Sequence, residues 1–314
     1  MSVNKLDVLN IAGYKFEPLS DIDSLVREFQ SVCDDLRLKG SVYLSPNGIN
    51  FSLAGSEESV EQYLLFMEQD KRFLNIPLKK TYSETQPFRR MRVRPKKEII
   101  SLGRDDINPR ELTGDYVTPK ELYAMYENNE DVVVLDTRNE YETRVGLFEN
   151  AVDLQLNTFR DFPDAIEQLP EEYKDKQIVM YCTGGIRCEK ASAVMLKAGF
   201  SDVKQLEGGV LDYFKETGGK YWNGDCFVFD DRVAVKQDLS EGSYDMCHGC
   251  RMPITDADKL SKEFIRGVSC PACFDKTTEE QKARYMSRQK QVDLAKERNQ
   301  KHIGPKEEVQ NSKA

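Results

Sequence analysis

Two cysteines, two glycines and an arginine lie together at residues 182–188, where the sequence is CTGGIRC. An apolar strand is predicted at 178–181 and a helix at 189–197, so this loop lies at the carboxyl end of a strand, where parallel α/β sheets gather catalytic groups. The glycines let backbone N–H groups approach a sulfur closely, and the helix N-terminus favours an anion. The pattern predicts a cysteine with a depressed pKa, roughly 3.5 to 7.5 at such sites.

Cys182 is the expected nucleophile because it is the first residue after the strand. Cys188 remains an alternative nucleophile or a resolving thiol, since the helix dipole also lowers the pKa of a thiol at a helix start. Arg187 is expected to stabilise negative charge that develops during a reaction. The anion-binding part of the loop is expected to comprise Thr183, Gly184, Gly185 and Ile186.

A second set of cysteines has the spacing of a metal site. Two C-x-x-C turns, Cys247/Cys250 and Cys270/Cys273, are separated by 19 residues. Four thiolates in this pattern predict a closed, tetrahedral, structural zinc site with no open position for catalysis. The chain has only two histidines, in a C-x-x-C turn and in a polar tail, which argues against a histidine-based triad or a two-histidine iron site.

A short basic segment stands out against an acidic chain. The formal net charge is −9, yet residues 88–97 carry six basic side chains and no acidic one. A local reversal of sign of this size can neutralise several phosphates, so the segment is a predicted RNA-binding element. Its expected contact residues are Arg89, Arg90, Arg92, Arg94, Lys96 and Lys97.

The composition indicates an ordinary globular protein of two or three domains, with 314 residues, 39% hydrophobic and 32% charged. No signal peptide is apparent at the start and no apolar run approaches the length of a membrane span, so we expect a cytoplasmic protein without a membrane partner. Neither a GxGxxG nor a Walker loop is present, and no nucleotide cofactor is predicted. The oligomeric state stays open.

The order of predicted elements divides the chain. Residues 1–87 alternate as β-α-β-β-α-β, which predicts a ferredoxin-like α+β domain. Residues 88–112 form the basic linker, and residues 113–222 alternate strands and helices as an α/β domain with a mainly parallel sheet. Residues 223–276 are the predicted zinc-binding region with its four cysteines. Residues 277–314 are a charged tail, expected to be helical to about residue 301 and disordered in its last dozen residues.

The cysteine loop resembles the active-site loop of rhodanese domains, whose pattern is C-x-x-G-x-R after an apolar strand. Residues 136–142, 146–151 and 206–209 are similar to three further rhodanese signatures. The resemblance implies a rhodanese-like parallel sheet with a persulfide-bearing cysteine at Cys182. It also implies that Asp136 and Arg138 lie near the mouth of the active site, and we expect both to contribute to anion binding.

A narrower resemblance covers nearly the whole chain. The sequence CTGGIRCEKAS at 182–192, the segment 222–230, the paired C-x-x-C turns and the tail at 288–296 together resemble the rhodanese-type tRNA uridine-34 hydroxylases. That family has an N-terminal ferredoxin-like or acylphosphatase-like domain, a central rhodanese domain and a cysteine-rich C-terminal part. The resemblance implies 5-hydroxylation of the wobble uridine in the tRNA anticodon loop, with molecular oxygen as co-substrate.

Three hypotheses for the function follow. In the leading one, Cys182 adds to C6 of uracil and makes C5 electron-rich enough to react with oxygen. The second is a sulfurtransferase that carries a persulfide on Cys182. The third is a zinc-bearing RNA- or partner-binding adaptor in which the loop is not catalytic. The sequence does not indicate which tRNAs would be used or which molecule supplies the reducing equivalents.

Overall fold

The computed structural model describes residues 8–298 and divides the chain into two compact units, residues 1–242 and 243–314. The first unit begins with an antiparallel sheet whose strand order is β4-β1-β3-β2, the order of a ferredoxin-like domain. The predicted β-α-β-β-α-β order is therefore confirmed. Its elements are β1 Val8–Phe16, α1 Ile22–Asp35, β2 Lys39–Ser45, β3 Gly48–Gly55, α2 Glu57–Glu68 and β4 Leu78–Ser83, with a 3-10 helix at Lys71–Phe73.

Both helices of this domain cover one face of the sheet. Leu25, Phe29 and Cys33 follow helical spacing on α1 and are buried, so the Cys33 thiol is part of the core. Ser56 starts α2 by accepting a hydrogen bond from the Ser59 amide. Because strand side chains alternate between faces, the residues between the core positions point to the other side of the sheet.

The expected basic linker is corrected in part: Met91–Pro95 is a strand, β5, that pairs in parallel with β2 at the edge of the sheet. The physical reason is the alternation of side chains. Val93 is buried against the helices, while Arg92 is half-buried and Arg94 is exposed. An apolar residue between two arginines therefore forms a half-buried edge strand rather than a solvated connection.

The second part of the first unit is a five-stranded parallel sheet of order β6-β11-β10-β7-β9, as the α/β pattern predicted. Strand β10 is at its centre and leads directly into the cysteine loop. The elements are β6 Asp115–Val117, α3 Pro119–Glu127, β7 Val132–Asp136, α4 Glu140–Thr143, β8 Gly146–Phe148, β9 Val152–Asp153, α5 Phe162–Ile166, β10 Gln177–Tyr181, α6 Ile186–Lys197, β11 Asp202–Leu206 and α7 Gly209–Thr217, with 3-10 helices at Phe159–Asp161 and Glu171–Asp175.

The boundary expected at residue 222 lies later in the structure. Residues 223–242 belong to the first unit, because Cys226 and Val235 pack into the same core as Trp222. Trp222 is thus a core aromatic, and the Cys226 side chain packs in the same core. Three short strands form this segment, β12 Trp222–Gly224 pairing with β8, and β13 Cys226–Phe227 pairing with β14 Ala234–Val235.

The second unit has a small core dominated by sulfur. Its buried residues in the described part are three cysteines together with Ile254, Gly267, Val268 and Ser269. A long helix, α9, buries no residue, but Arg288 on it donates hydrogen bonds to the backbone oxygens of His248 and Gly267. The helices and strands of the second unit are β15 Asp245–Met246, β16 Pro253–Ile254, α8 Asp256–Leu260 and α9 Glu279–Glu297. The predicted disorder of the last dozen residues lies outside the described residues.

Within residues 8–298, none of the helices combines the length and the apolarity needed to span a bilayer.

Candidate active site and metal centre

The Cys182 sulfur lies at the end of the central strand and accepts a backbone hydrogen bond. Its side chain is 1% exposed, and the Gly185 N–H donates to its Sγ at 3.1 Å. Gly185 has φ +98°, a backbone conformation that residues other than glycine rarely adopt. At this residue the chain turns directly into α6. The glycine therefore makes the sharp strand-to-helix turn that aims the amide at the sulfur.

The environment of Cys182 favours the thiolate. Burial acts to raise its pKa, but the Cys188 thiol, the positive charge of Arg187 and the amides of residues 187 and 188 outweigh it and lower the pKa to about 5. At neutral pH this sulfur is ionised. Such a thiolate is a nucleophile already formed in the resting protein.

Cys188 has the opposite character. Its side chain is fully buried, and burial together with the adjacent Cys182 raises the pKa of its thiol well above the usual value. Its Sγ is 3.6 Å from the Thr137 Oγ1. The structure thus makes Cys182 the ionised member of the pair and Cys188 a neutral hydrogen-bond donor behind it.

Backbone hydrogen bonds from the start of α7 hold the cysteine loop in place. The Val210 and Leu211 amides donate to the carbonyl oxygens of Cys182 and Thr183, at 3.0 and 3.2 Å. This close approach requires Gly209, since a Cβ at this position would lie 2.5 Å from the Cys182 oxygen. The glycine pair at 208–209 therefore positions the reactive loop.

Arg187 is held by a buried carboxylate rather than pointing freely at a substrate. Its guanidinium donates to both oxygens of Glu142 at 2.5 and 2.6 Å, and both side chains are at most 5% exposed. The pair is neutral as a whole, so stabilisation of a developing anion falls mainly to the loop amides. Glu142 was not predicted as a site residue, because nothing local in the sequence links it to an arginine 45 positions away.

The expectation that Asp136 and Arg138 help to bind an anion is corrected. Both side chains are fully buried and form an ion pair at 2.6 Å. Arg138 also donates to the Gly146 carbonyl oxygen and lies over the Trp222 ring, 4.9 Å from its centroid. The charge of this arginine is paired with Asp136 inside the core, and the pair fixes the end of β7 instead of meeting a ligand.

A cavity of about 1140 Å³ opens in front of the cysteine loop. Its lining includes Cys182, Thr183, Gly184, Ile186 and Arg187 from the loop. Gly184 faces open space, with no heavy atom within 4 Å of a Cβ built there. The cavity is large enough for a complete nucleotide, which makes the loop accessible to a substrate although Cys182 itself is buried.

The opposite wall of the cavity is the open face of the N-terminal sheet. Alternate residues of four strands supply this polar face, which sequence reasoning missed because alternation does not indicate what lies across from it. The lining residues of this polar sheet face are Asn10, Tyr14, Ser41, Tyr43, Asn50, Ser52, Lys79 and Thr81. The site is thus built by both domains of the first unit.

The two walls meet at Tyr14 and Glu189. The Tyr14 hydroxyl donates to Glu189 Oε1 at 3.0 Å, and the Tyr116 hydroxyl donates to the same oxygen at 2.8 Å. Burial, the Glu189 carboxylate and the Cys182 thiolate all raise the pKa of Tyr14 well above its usual value. Tyr14 therefore stays neutral at the rim of the cysteine loop.

The basic segment runs along the edge of the N-terminal sheet towards the cavity. Five of its six predicted contact residues are exposed and Arg92 is half-buried. Arg89 pairs with Asp231 at 2.9 Å, while Arg90 and Arg94 have no ion-pair partner among residues 8–298. Lys96 lines the cavity, its Nζ 5.0 Å from the centroid of the Tyr43 ring.

The four C-terminal cysteines converge as a metal site would require. Their Sγ atoms all lie within 4.8 Å of one another, with neighbouring pairs at 3.7, 3.9 and 4.0 Å. Tetrahedral zinc with bonds of about 2.3 Å separates its sulfurs by about 3.8 Å, so the donor set fits zinc. Cys247, Cys250, Cys270 and Cys273 could hold the ion, which when bound would cross-link the two turns.

Comparison with known families follows the division of the first unit. Residues 8–99 match the UPF0176 acylphosphatase-like domain, and residues 118–216 match the rhodanese-like domain. These two domains in this order are the architecture of one family. The chain has the domain architecture of the UPF0176 family. The N-terminal match includes β5, in agreement with its place in the sheet, and the rhodanese match includes the whole cysteine loop.

Solved structures similar to the chain cover single parts of it. The rhodanese-like domain of an Anabaena protein is 21% identical, covering 36% of this chain and 80% of its own, with a TM-score of 0.29. A rhodanese-related protein from Thermoplasma volcanium is 21% identical, covering 33% and 93%, with a TM-score of 0.28. The structure described as BlrP1 BLUF is 20% identical, covering 29% of this chain and 66% of its own, with a TM-score of 0.26. The likeness to the UPF0176 architecture therefore rests on the two domain matches.

Proposed function

We propose that this UPF0176 protein hydroxylates C5 of the wobble uridine in tRNA. The observation that carries the proposal is an ionised sulfur, Cys182, beside a cavity that accommodates a nucleotide. An enzyme that acts on a base must take the base out of its stack into such a pocket. An anticodon loop offers unstacked bases for this purpose.

The charge around the cavity suits RNA. Lys15, Lys96 and Arg160 line it without an ion-pair partner in the described part of the chain. Beyond the rim, the exposed arginines of the basic segment continue along the sheet edge. A base in the cavity would thus bring its flanking phosphates towards these three cations. The cavity lining also holds the carboxylates of Glu189 and Glu207, so the attraction is local to the cations and does not come from a net positive charge.

The chemistry needs only the thiolate and the loop amides from the protein. Addition of Cys182 Sγ to C6 moves the C5–C6 electron pair to C5 and O4, and this enolate reacts with molecular oxygen at C5. One oxygen atom stays on C5, and the other leaves as water with two electrons and two protons from an external two-electron reductant. Loss of the C5 proton and of the thiolate then restores the C5–C6 double bond.

The family supports the same reaction. The UPF0176 architecture is that of the rhodanese-type tRNA uridine-34 hydroxylases which the sequence resembles. A binding adaptor has no need of a depressed thiol pKa, so the ionised Cys182 favours an enzyme over the non-catalytic alternative.

The test uses an anticodon stem-loop RNA incubated with the full chain and a reductant under labelled oxygen. We expect mass spectrometry to find one labelled oxygen atom in uridine-34, and no product with the Cys182→Ala variant or under nitrogen. The same comparison applies to tRNA from a deletion strain restored with either form. Product formed by Cys182→Ala would exclude the mechanism.

A sulfurtransferase is the second candidate, and the hydrogen bond from the Gly185 amide to Cys182 Sγ favours it specifically. Amide donors that stabilise a thiolate would equally stabilise the outer sulfur of a persulfide. Incubation with thiosulfate separates the two functions. A persulfide on Cys182 that passes to an acceptor at a useful rate, without oxygen entering RNA, would establish sulfur transfer instead.

A further inference from the structure

The Tyr14 hydroxyl has a fixed hydrogen-bonding direction. Its partner Glu189 is a carboxylate, which accepts hydrogen bonds and does not donate them, so the single hydroxyl proton of Tyr14 is committed to Glu189 Oε1. Tyr116 and Thr113 donate to the same carboxylate, at 2.8 and 3.1 Å. The oxygen of Tyr14 therefore offers the cavity lone pairs only, and any polar group that binds it must be a donor.

This acceptor lies against the reactive loop. A Cβ built on Gly185 would come within 2.9 Å of the Tyr14 hydroxyl oxygen, and the amide of Gly185 is the one that bonds Cys182 Sγ. The sulfur comes from the rhodanese-like wall of the cavity, whereas Tyr14 comes from β1 of the N-terminal sheet. A flat ligand between these walls meets the sulfur on one side and the acceptor on another.

We propose that the Tyr14 hydroxyl oxygen is the specificity contact for the target base and accepts a hydrogen bond from the ring N3–H of uracil. The identity of the base rests on the function proposed above. In a pyrimidine, N3 lies opposite C6, so a base that presents C6 to Cys182 directs its N3 edge away from the sulfur. Cytosine carries a lone pair at N3 instead of a proton and would face the Tyr14 oxygen unfavourably.

The assignment explains why the N-terminal domain is part of the site. The Glu189 carboxylate, in the first turn of α6, holds the Tyr14 proton, so the helix that follows the cysteine loop also orients the group that recognises the base. Tyr14 binds and positions the base, and takes no part in bond making.

The test is a double-mutant cycle measured by binding under nitrogen, where no reaction occurs. Anticodon stem-loop RNAs carrying either uridine or 3-deazauridine at position 34 are titrated with wild type and with Tyr14→Phe. In 3-deazauridine a C–H replaces the N3–H, and the oxygen on C4 becomes a hydroxyl. The second change is common to both proteins, so the comparison between them isolates the N3 contact. We expect the ratio of the two Kd values, 3-deazauridine RNA over uridine RNA, to be roughly tenfold larger for wild type than for Tyr14→Phe, the effect of one lost hydrogen bond in a desolvated site.

The matched control is Tyr82→Phe, which removes a hydroxyl bonded to Glu57 at 2.8 Å in the same sheet, outside the cavity. The Tyr82→Phe variant should show the same ratio of the two Kd values as wild type. A purely structural role for Tyr14 would weaken binding of both RNAs and leave the ratio intact, which would overturn the proposal. So would a wild type that binds both RNAs alike.

Hydroxylation in air, assayed in parallel, separates this inference from the proposed function. If the ratio of the two Kd values depends on Tyr14 but the protein forms no 5-hydroxyuridine, the proposed reaction is refuted and the base contact is supported. Product formation with a ratio unchanged in Tyr14→Phe would refute the base contact alone.

Discussion

The cysteine loop and the C-terminal four-cysteine cluster use the same side chain for different purposes, and the difference lies in what each sulfur faces. In the loop, one sulfur lines a cavity and is stabilised as a thiolate by amides, a neighbouring thiol and an arginine. In the cluster, four sulfurs face one another, with neighbouring pairs at distances of 3.7 to 4.0 Å. Access to a ligand suits the first sulfur to react, whereas mutual contact gives the other four the arrangement that a zinc ion requires.

Metal removal should have the largest effect, and only on the second unit. Its core consists mainly of the cysteine sulfurs, so a chelator that strips zinc removes most of what holds residues 243–298 together. Structural zinc sites bind with about 10–16 kcal/mol, far more than this small core supplies. We expect fast amide exchange in this unit, measured by mass spectrometry, after chelation or in Cys250→Ala.

Either of two results would contradict the claim that the four C-terminal cysteines form a structural zinc site. One is a purified protein in which elemental analysis finds no stoichiometric zinc, and the other is unchanged amide exchange in residues 243–298 after chelation. The alkylation rate of Cys182 serves as the internal control, because the groups that set the pKa of its thiol lie at Arg187 and Cys188. That rate should be the same before and after chelation.

The second-largest effect is expected from a distortion of the cysteine loop, which should lower the hydroxylation rate. In Gly209→Ala, the new Cβ would lie 2.5 Å from the Cys182 carbonyl oxygen and 2.9 Å from the Gly185 nitrogen, so the loop must shift. A displacement of about 1 Å costs about 100-fold in catalysis, and we expect a loss of this order in single-turnover hydroxylation. Gly218→Ala is the matched control, since Gly218 has a similar φ of +71° with no atom within 4 Å. Equal losses in both variants would show that backbone strain, not the contact, matters.

The basic segment should give the smallest effect. Replacing Arg90 and Arg94 with alanine removes two exposed cations at the sheet edge. If each contacts one phosphate of single-stranded RNA, the slope of log Kd against log salt falls by about 1.4, at about 0.7 per contact. Lys120 and Lys215, exposed cations of the rhodanese-like domain that do not line the cavity, supply the control double variant. An unchanged slope in the Arg90/Arg94 variant would exclude these contacts.

Local patterns predicted much of this structure. The apolar strand, the glycines and the cysteines of residues 182–188 carry their own geometry, and the paired C-x-x-C turns bring their sulfurs together over a short chain length. The order of predicted elements in residues 1–87 likewise predicted the ferredoxin-like domain. Such features depend on neighbours a few residues apart, which is the range that spacing arguments cover.

Long-range partners were not predictable in this way. Arg187 is neutralised by Glu142, and Tyr14 meets Glu189 across 175 residues. Arg138, which was expected near the mouth of the active site, is buried against Trp222 instead of facing a ligand. In each case the fate of a polar group is decided by the element that packs against it, and a single sequence does not contain that pairing.

The most direct test of the account is the pH dependence of Cys182 alkylation. Iodoacetamide reacts with the thiolate, so the rate, followed by mass spectrometry of the Cys182 peptide, should rise with pH, reach half its maximum at pH about 5 and stay constant through neutrality. Cys188, whose thiol pKa is raised, should remain unmodified under these conditions. A midpoint at pH about 8.5, the pKa of a free cysteine thiol, would contradict the claim that this loop holds an ionised sulfur.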